Sequence, residues 1–147
     1  MKSIFLADDD ADDRSFFADA LKAVDKDAVL TTTTDGMELM SSLGEIVTEP
    51  PPPHLIFLDL NMPRKTGYEC LKEIRGTAKL KDIPVVVFTT SESKNAIDVA
   101  YDLGANCYVC KPNSHERMMR TIETVLELDL WGQDRQLSKQ KFVIGFE

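Results

Sequence analysis

No stretch of this sequence approaches the ~20 consecutive apolar residues that a membrane-spanning helix requires. The opening apolar run ends at an acid, Asp8, which argues against a secretory leader, so the expected compartment is the cytoplasm. Cysteine is scarce, and three residues, an odd number, do not make a disulfide framework. Cys107 and Cys110 form a C-x-x-C pair, but no second pair or paired histidines accompany them as a zinc site would need. They also lie in a segment of strand character, where an offset of three turns two side chains to opposite faces. Basic residues are outnumbered, with 17 Lys and Arg against 25 Asp and Glu and a net charge of -8. That balance argues against a DNA-reading surface, which selects for clustered Lys and Arg.

What is present fits one globular domain. The chain has 147 residues, 43% of them apolar and 29% charged, a size that can bury a core without staples. Short apolar runs at 3–7, 55–58, 84–88 and 106–109 read as strands buried on both faces, and a Thr-rich run at 28–33 as a weaker fifth. Between them apolar residues recur at helical spacing, around Phe17 and Leu21, Leu39 and Leu43, Leu71 and Ile74, Ala96 and Ala100, and Ile122 and Val125. Gly104 is placed to end the fourth helix and Ser114 to cap the fifth. Five alternations of strand and helix predict a doubly wound parallel sheet, strand order 2-1-3-4-5, with five helices on its two faces. Pro50–Pro53 read as a stiff spacer into the third strand.

The pattern dissolves after residue 128, leaving 129–147 as a C-terminal tail too short for a second domain. Its end, Lys141-Phe142-Val143-Ile144-Gly145-Phe146, is apolar with no obvious core left to join. Two outcomes are open: a frayed terminus, or packing on its own domain or across a dimer.

Chemistry-bearing residues fall at the ends of the predicted strands. Asp8, Asp9 and Asp10 follow strand one, Asp59 ends strand three, Thr89, Thr90 and Ser91 end strand four, and Lys111 ends strand five. In a parallel sheet these ends share one edge, where open α/β sheets bind ligands. Carboxylates gathered there repel one another unless a cation joins them, and an all-oxygen donor set suits a hard ion such as Mg²⁺. A carboxylate so placed can accept a phosphoryl group, with Lys111 and the Thr89 hydroxyl supplying charge and a hydrogen bond to its oxygens. Acid runs such as Asp12-Asp13 are more simply helix N-terminal charges.

Together these residues closely resemble the receiver domains of two-component response regulators over about residues 2–128, a family with a flavodoxin-like fold. The resemblance implies Asp59 as phosphoacceptor, Lys111 as the essential lysine, and Thr89 and Tyr108 as the switch pair. It implies a metal, Mg²⁺, held by Asp9, Asp59 and the main-chain carbonyl of Asn61, with Asp8 acting through water. Leu58-Asp59-Leu60-Asn61-Met62-Pro63, Phe88-Thr89-Thr90-Ser91 and Gly104-Ala105-Asn106-Cys107-Tyr108 look most like the stand-alone regulators that work beside phytochrome-type kinases.

The implied partners are a sensor histidine kinase, a downstream relay protein, or a second copy docking on the face of helix four, strand five and helix five; no output domain is expected. The resemblance further implies that Tyr108 swings inward from solvent once Thr89 binds a phosphoryl oxygen. Two residues depart from the family pattern: Thr90 stands where a smaller residue is common, and Asn113 replaces an aromatic. An aspartate-nucleophile phosphohydrolase is disfavoured because Asn61 stands where such enzymes carry a second, proton-donating Asp. A degenerate, binding-only receiver would have lost Asp59, Lys111 or the acid pair, and none is lost.

Overall fold

The strands form where β-branched and aromatic residues cluster between turn signals, and their burial explains why they read as unbroken apolar runs. The computed structural model describes residues 2–48, 53–132 and 134–144. In chain order the elements are β1 (Ser3–Ala7), α1 (Ala11–Val24), β2 (Val29–Thr33), α2 (Gly36–Thr48), β3 (Leu55–Leu58), α3 (Gly67–Gly76), β4 (Val85–Thr89), α4 (Lys94–Asp102), β5 (Cys107–Cys110), α5 (His115–Glu127) and β6 (Val143–Ile144). All pairings are parallel, in the order β2-β1-β3-β4-β5-β6. The expected five-stranded order is present, extended by one strand. Pro50, Pro51 and Pro52 of the expected spacer lie outside the described residues.

Side chains alternate to the two faces. Leu39 and Leu43 of α2, Leu71 and Ile74 of α3, and Ala96 and Ala100 of α4 cover one face. Phe17 and Leu21 of α1 with Ile122 and Val125 of α5 cover the other. There Phe17, Phe57 and Phe88 meet edge to face at 4.8, 5.4 and 5.9 Å, the geometry aromatic quadrupoles favour. Cys107 belongs to this second layer and Cys110 to the first, so the two thiols are on opposite faces as expected. The caps also match: Ser114 accepts from Arg117 N, and Gly104, at φ +96°, follows α4 with its amide bonded to Tyr101 O. Among the described residues no helix is long and apolar enough to cross a membrane.

The sixth strand comes from the tail, so of the two outcomes left open the described part packs on its own domain, while Gly145 and Phe146 lie outside the described residues. Without this strand β5 would end the sheet with unpaired backbone groups. The tail satisfies them: Tyr108 N donates to Phe142 O at 2.8 Å, and Leu137 N donates to Asn106 O at 3.0 Å. Phe142 is 1% exposed and packs between Tyr101 and Tyr108. Burying such a side chain contributes about 1.5–3 kcal/mol. The missing core is therefore the outer flank of β5 and α4.

Candidate functional site: a carboxylate and lysine crevice

The sheet's hydrogen-bond ladder runs one residue past the strands and fixes each site residue by its backbone. Asp8 N donates to Thr33 O at 3.1 Å, Asp59 N to Ala7 O at 3.0 Å, and Lys111 N to Thr89 O at 2.8 Å. Three side chains from distant positions are thereby aimed into one crevice at the strands' C-terminal edge. The loops add local anchors. Asp8 Oδ1 accepts from Asp10 N, and Arg14 Nη1 donates to Asp8 O. Asp59 Oδ1 accepts from Asn61 N at 3.3 Å. Gly67 is obligatory here, since a Cβ would lie 2.1 Å from Asp59 O.

Lys111 is the hub. Its Nζ lies 2.7 Å from Asp8 Oδ2, 2.8 Å from Asp13 Oδ2 and 2.9 Å from Asp59 Oδ2. Burial pulls its pKa down, but the contacts with Asp13, Asp8 and Asp59 outweigh that and raise it above the ordinary lysine value. Asp8 moves upward chiefly through burial, against the opposing pull of Lys111. Asp13 is not among the residues that the strand ends predict for this site. Asp10 caps α1 by accepting from Asp13 N, which sets Asp13 in the first turn, facing the crevice. Counting from that cap is the signal that finds it.

The donor set fits a divalent cation. One carboxylate oxygen from each of Asp8, Asp9 and Asp59 lies within 4.8 Å of the others. Asp8 Oδ2 is buried without an aligned hydrogen-bond donor, the Lys111 ion pair notwithstanding. A single ammonium does not neutralise four neighbouring acids, and oxygen donors suit a hard ion. Asp9 and Asn61 sit exposed at the rim.

Of the two adjacent threonines, Thr89 is fully buried and Thr90 exposed. Thr89 Oγ1 faces Ser91 N at 3.5 Å. Tyr108 departs from expectation: it is not in solvent but fully buried, its hydroxyl donating to Ser91 O at 2.8 Å. Burial pushes its phenol up to about 12. The Phe142 ring packs against it, tilted, with centroids 6.2 Å apart. The expected docking face of α4, β5 and α5 is likewise changed, because β6 occupies the edge of β5.

Comparison with known proteins agrees with this geometry. The model of the response regulator receiver domain matches residues 4–123. The chain is 36% identical over 127 residues to response regulator Rcp1 of Synechocystis sp. (strain ATCC 27184 / PCC 6803 / Kazusa), covering 84% of this chain and 86% of that protein. It superposes on the phosphorylated cyanobacterial phytochrome response regulator RcpA with a TM-score of 0.78 at 36% identity, over 86% of this chain and 92% of that one. The Mn²⁺-bound form of Rcp1 gives a TM-score of 0.76 at 34% identity, over 88% and 95%. The chain belongs to the response regulator receiver family and is similar within it to phytochrome-associated stand-alone regulators.

Proposed function

We infer that Asp59 is the residue that accepts the phosphoryl group, from a phosphohistidine of a sensor histidine kinase of phytochrome type, with Mg²⁺ as the metal. The observation that carries this is the convergence of Asp59 with a buried lysine at 2.9 Å and with the carboxylates of Asp8 and Asp9. Asp9, Asp59 and the Asn61 carbonyl would hold the ion, with Asp8 acting through water. When bound, it neutralises charge on the phosphoryl oxygens and the attacking carboxylate.

The chain's residues do the rest. An Asp59 carboxylate oxygen forms a bond to phosphorus while the phosphorus–nitrogen bond of the donor breaks, its electron pair returning to the imidazole. Lys111 keeps its proton, as its raised pKa requires, and turns from Asp59 toward a phosphoryl oxygen as a charged donor. Thr89, whose oxygen faces the Ser91 amide, donates its hydroxyl hydrogen to another. The chain is thus a stoichiometric acceptor rather than an enzyme that turns over a substrate, and it works in the cytoplasm beside its kinase. A relay protein or a second copy then docks on α4, β5 and α5, with β6 forming part of that face.

The test is phosphoryl labelling by acetyl phosphate. Labelling requires Mg²⁺, stops in EDTA, and is lost in Asp59→Asn while the fold persists. Parental labelling of a folded Asp59→Asn protein overturns the assignment.

A further inference from the structure

We propose that Phe142 is a positioning residue for the phosphoacceptor site, acting through Tyr108; the proposal rests on the reading of Asp59 given above. The tail is fastened on both sides of Tyr108. Gln136 Nε2 donates to Tyr101 O at 2.7 Å and to Ala105 O at 2.8 Å, and Leu137 N donates to Asn106 O. Beyond these, Lys139 Nζ pairs with Asp98 at 3.1 Å and lies 4.9 Å above the Tyr101 ring. Phe142 then stands edge-on to Tyr101 at 5.1 Å and tilted against Tyr108 at 6.2 Å, while its carbonyl accepts from the Tyr108 amide. Ring and backbone of Tyr108 are held by the same tail residue, so Tyr108 leaves the interior only when Phe142 leaves with it.

From Tyr108 the linkage continues inward. Its hydroxyl and the Cys110 thiol, at 2.8 and 3.2 Å, both donate to Ser91 O. Two donors on one carbonyl fix the Ser91–Glu92 peptide plane in the turn after β4; the Ser91 amide, which faces Thr89 Oγ1, lies in the adjoining plane and is linked to it through Ser91 Cα. With that oxygen occupied as an acceptor, the Thr89 hydroxyl hydrogen is the one available to a phosphoryl oxygen. The docked tail thus favours the arrangement that a phosphoryl group on Asp59 also favours. Two events that favour the same state are linked reciprocally: tail docking tightens phosphoryl binding, and phosphoryl binding tightens the tail.

A side chain that only fills a hole would destabilise the fold when removed and leave the crevice alone. The discriminating measurement is the affinity for beryllofluoride in excess Mg²⁺, taken beside urea unfolding. Phe142→Ala is expected to weaken beryllofluoride binding about five- to tenfold. Tyr108→Phe removes only the hydroxyl link to Ser91 and keeps the packing on Phe142. It is expected to weaken binding similarly while the tail amides of Leu137, bonded to Asn106 O, and Ile144, facing β5, stay protected from exchange. The double variant should bind no more weakly than either single one, because both cut one linkage. In the parent, beryllofluoride should slow exchange of those two tail amides.

Parental affinity in folded Phe142→Ala and in Tyr108→Phe overturns the proposal, as does tail exchange indifferent to beryllofluoride. Either result leaves the Asp59 reading standing. Failure of the parent itself to bind beryllofluoride overturns both. Tyr108→Phe keeps the test decisive should Phe142→Ala not fold.

Discussion

Replacing Lys111 with methionine isolates the electrostatic balance of the crevice. Methionine keeps the length and apolar stem of the side chain and removes one ammonium. In the parent that ammonium lies within 2.7–2.9 Å of Asp8, Asp13 and Asp59. The Asp13 carboxylate is 38% exposed, so solvent screens that pair and its loss costs at most about 1 kcal/mol. Asp8 and Asp59 are 0% and 8% exposed in their side chains, and stranding buried carboxylates without a cation costs about 3–5 kcal/mol. Mutual repulsion among the acids lies in the same direction. We expect a loss of about 3–5 kcal/mol at pH 7 in EDTA, or a melting temperature lowered by roughly 6–20 °C for a domain of this size.

The pH dependence has a definite sign. Asp8 already titrates above its usual 3.8 because of burial, and Lys111 opposes that rise. Without the lysine the Asp8 pKa climbs further. A carboxyl raised in the folded state favours folding below its unfolded value and loses that contribution as pH rises through the folded value. The deficit of Lys111→Met should therefore be largest at neutral pH and shrink toward pH 4. Mg²⁺ should recover more stability in the variant than in the parent, because it binds a more negative crevice. Urea unfolding at several pH values, with EDTA or Mg²⁺, measures all three. A variant as stable as the parent at pH 7 in EDTA would refute the reasoning.

Asp9→Ala removes an exposed acid from the cluster; its melting temperature in EDTA should equal or exceed the parent's, while the Mg²⁺ stabilisation expected of the parent in thermal scans should be absent. Gly67→Ala places a methyl 2.1 Å from the Asp59 carbonyl, so the acceptor loop must shift. A cost of about 1–3 kcal/mol in urea unfolding and weaker beryllofluoride binding are expected, and an unaffected affinity would contradict the close approach. The thiols of Cys107 and Cys110 are pushed up to about 12 and about 11 by burial. Both stay protonated at pH 8, and in the folded protein they should react with a disulfide reagent only at the rate of opening; fast modification would contradict their burial.

The sheet was legible because its signal is strong and local. β1 and β3 begin and end where their apolar runs do. β4 and β5 each start one residue later than their runs. Pro84 has no amide to give the ladder, though its carbonyl accepts from Ile56 N. The Asn106 side chain instead accepts from Val85 N and Arg75 Nη2. Asp8, Asp59, Thr89 and Lys111 were legible because topology alone collects strand ends at one edge. Asp13 was not, because an acid in a first helical turn has the plainer role of complementing the helix dipole. The sixth strand was hidden for a different reason: two residues carry no period, and pairing with β5 depends on an edge that exists only after the domain has folded. The inward position of Tyr108 was hidden in part for the same reason, since one ring packed against it, Phe142, belongs to the tail.

The most direct measurement of the account is to map the modified residue. The parent is incubated with acetyl phosphate and Mg²⁺, the acyl phosphate is reduced with borohydride to mark its position, and peptides are sequenced by mass spectrometry. A single marked residue is expected, Asp59, with no mark when EDTA is present. A mark on Asp8, Asp9 or Asp13 instead, or marking of Asp59 that proceeds equally in EDTA, would contradict it.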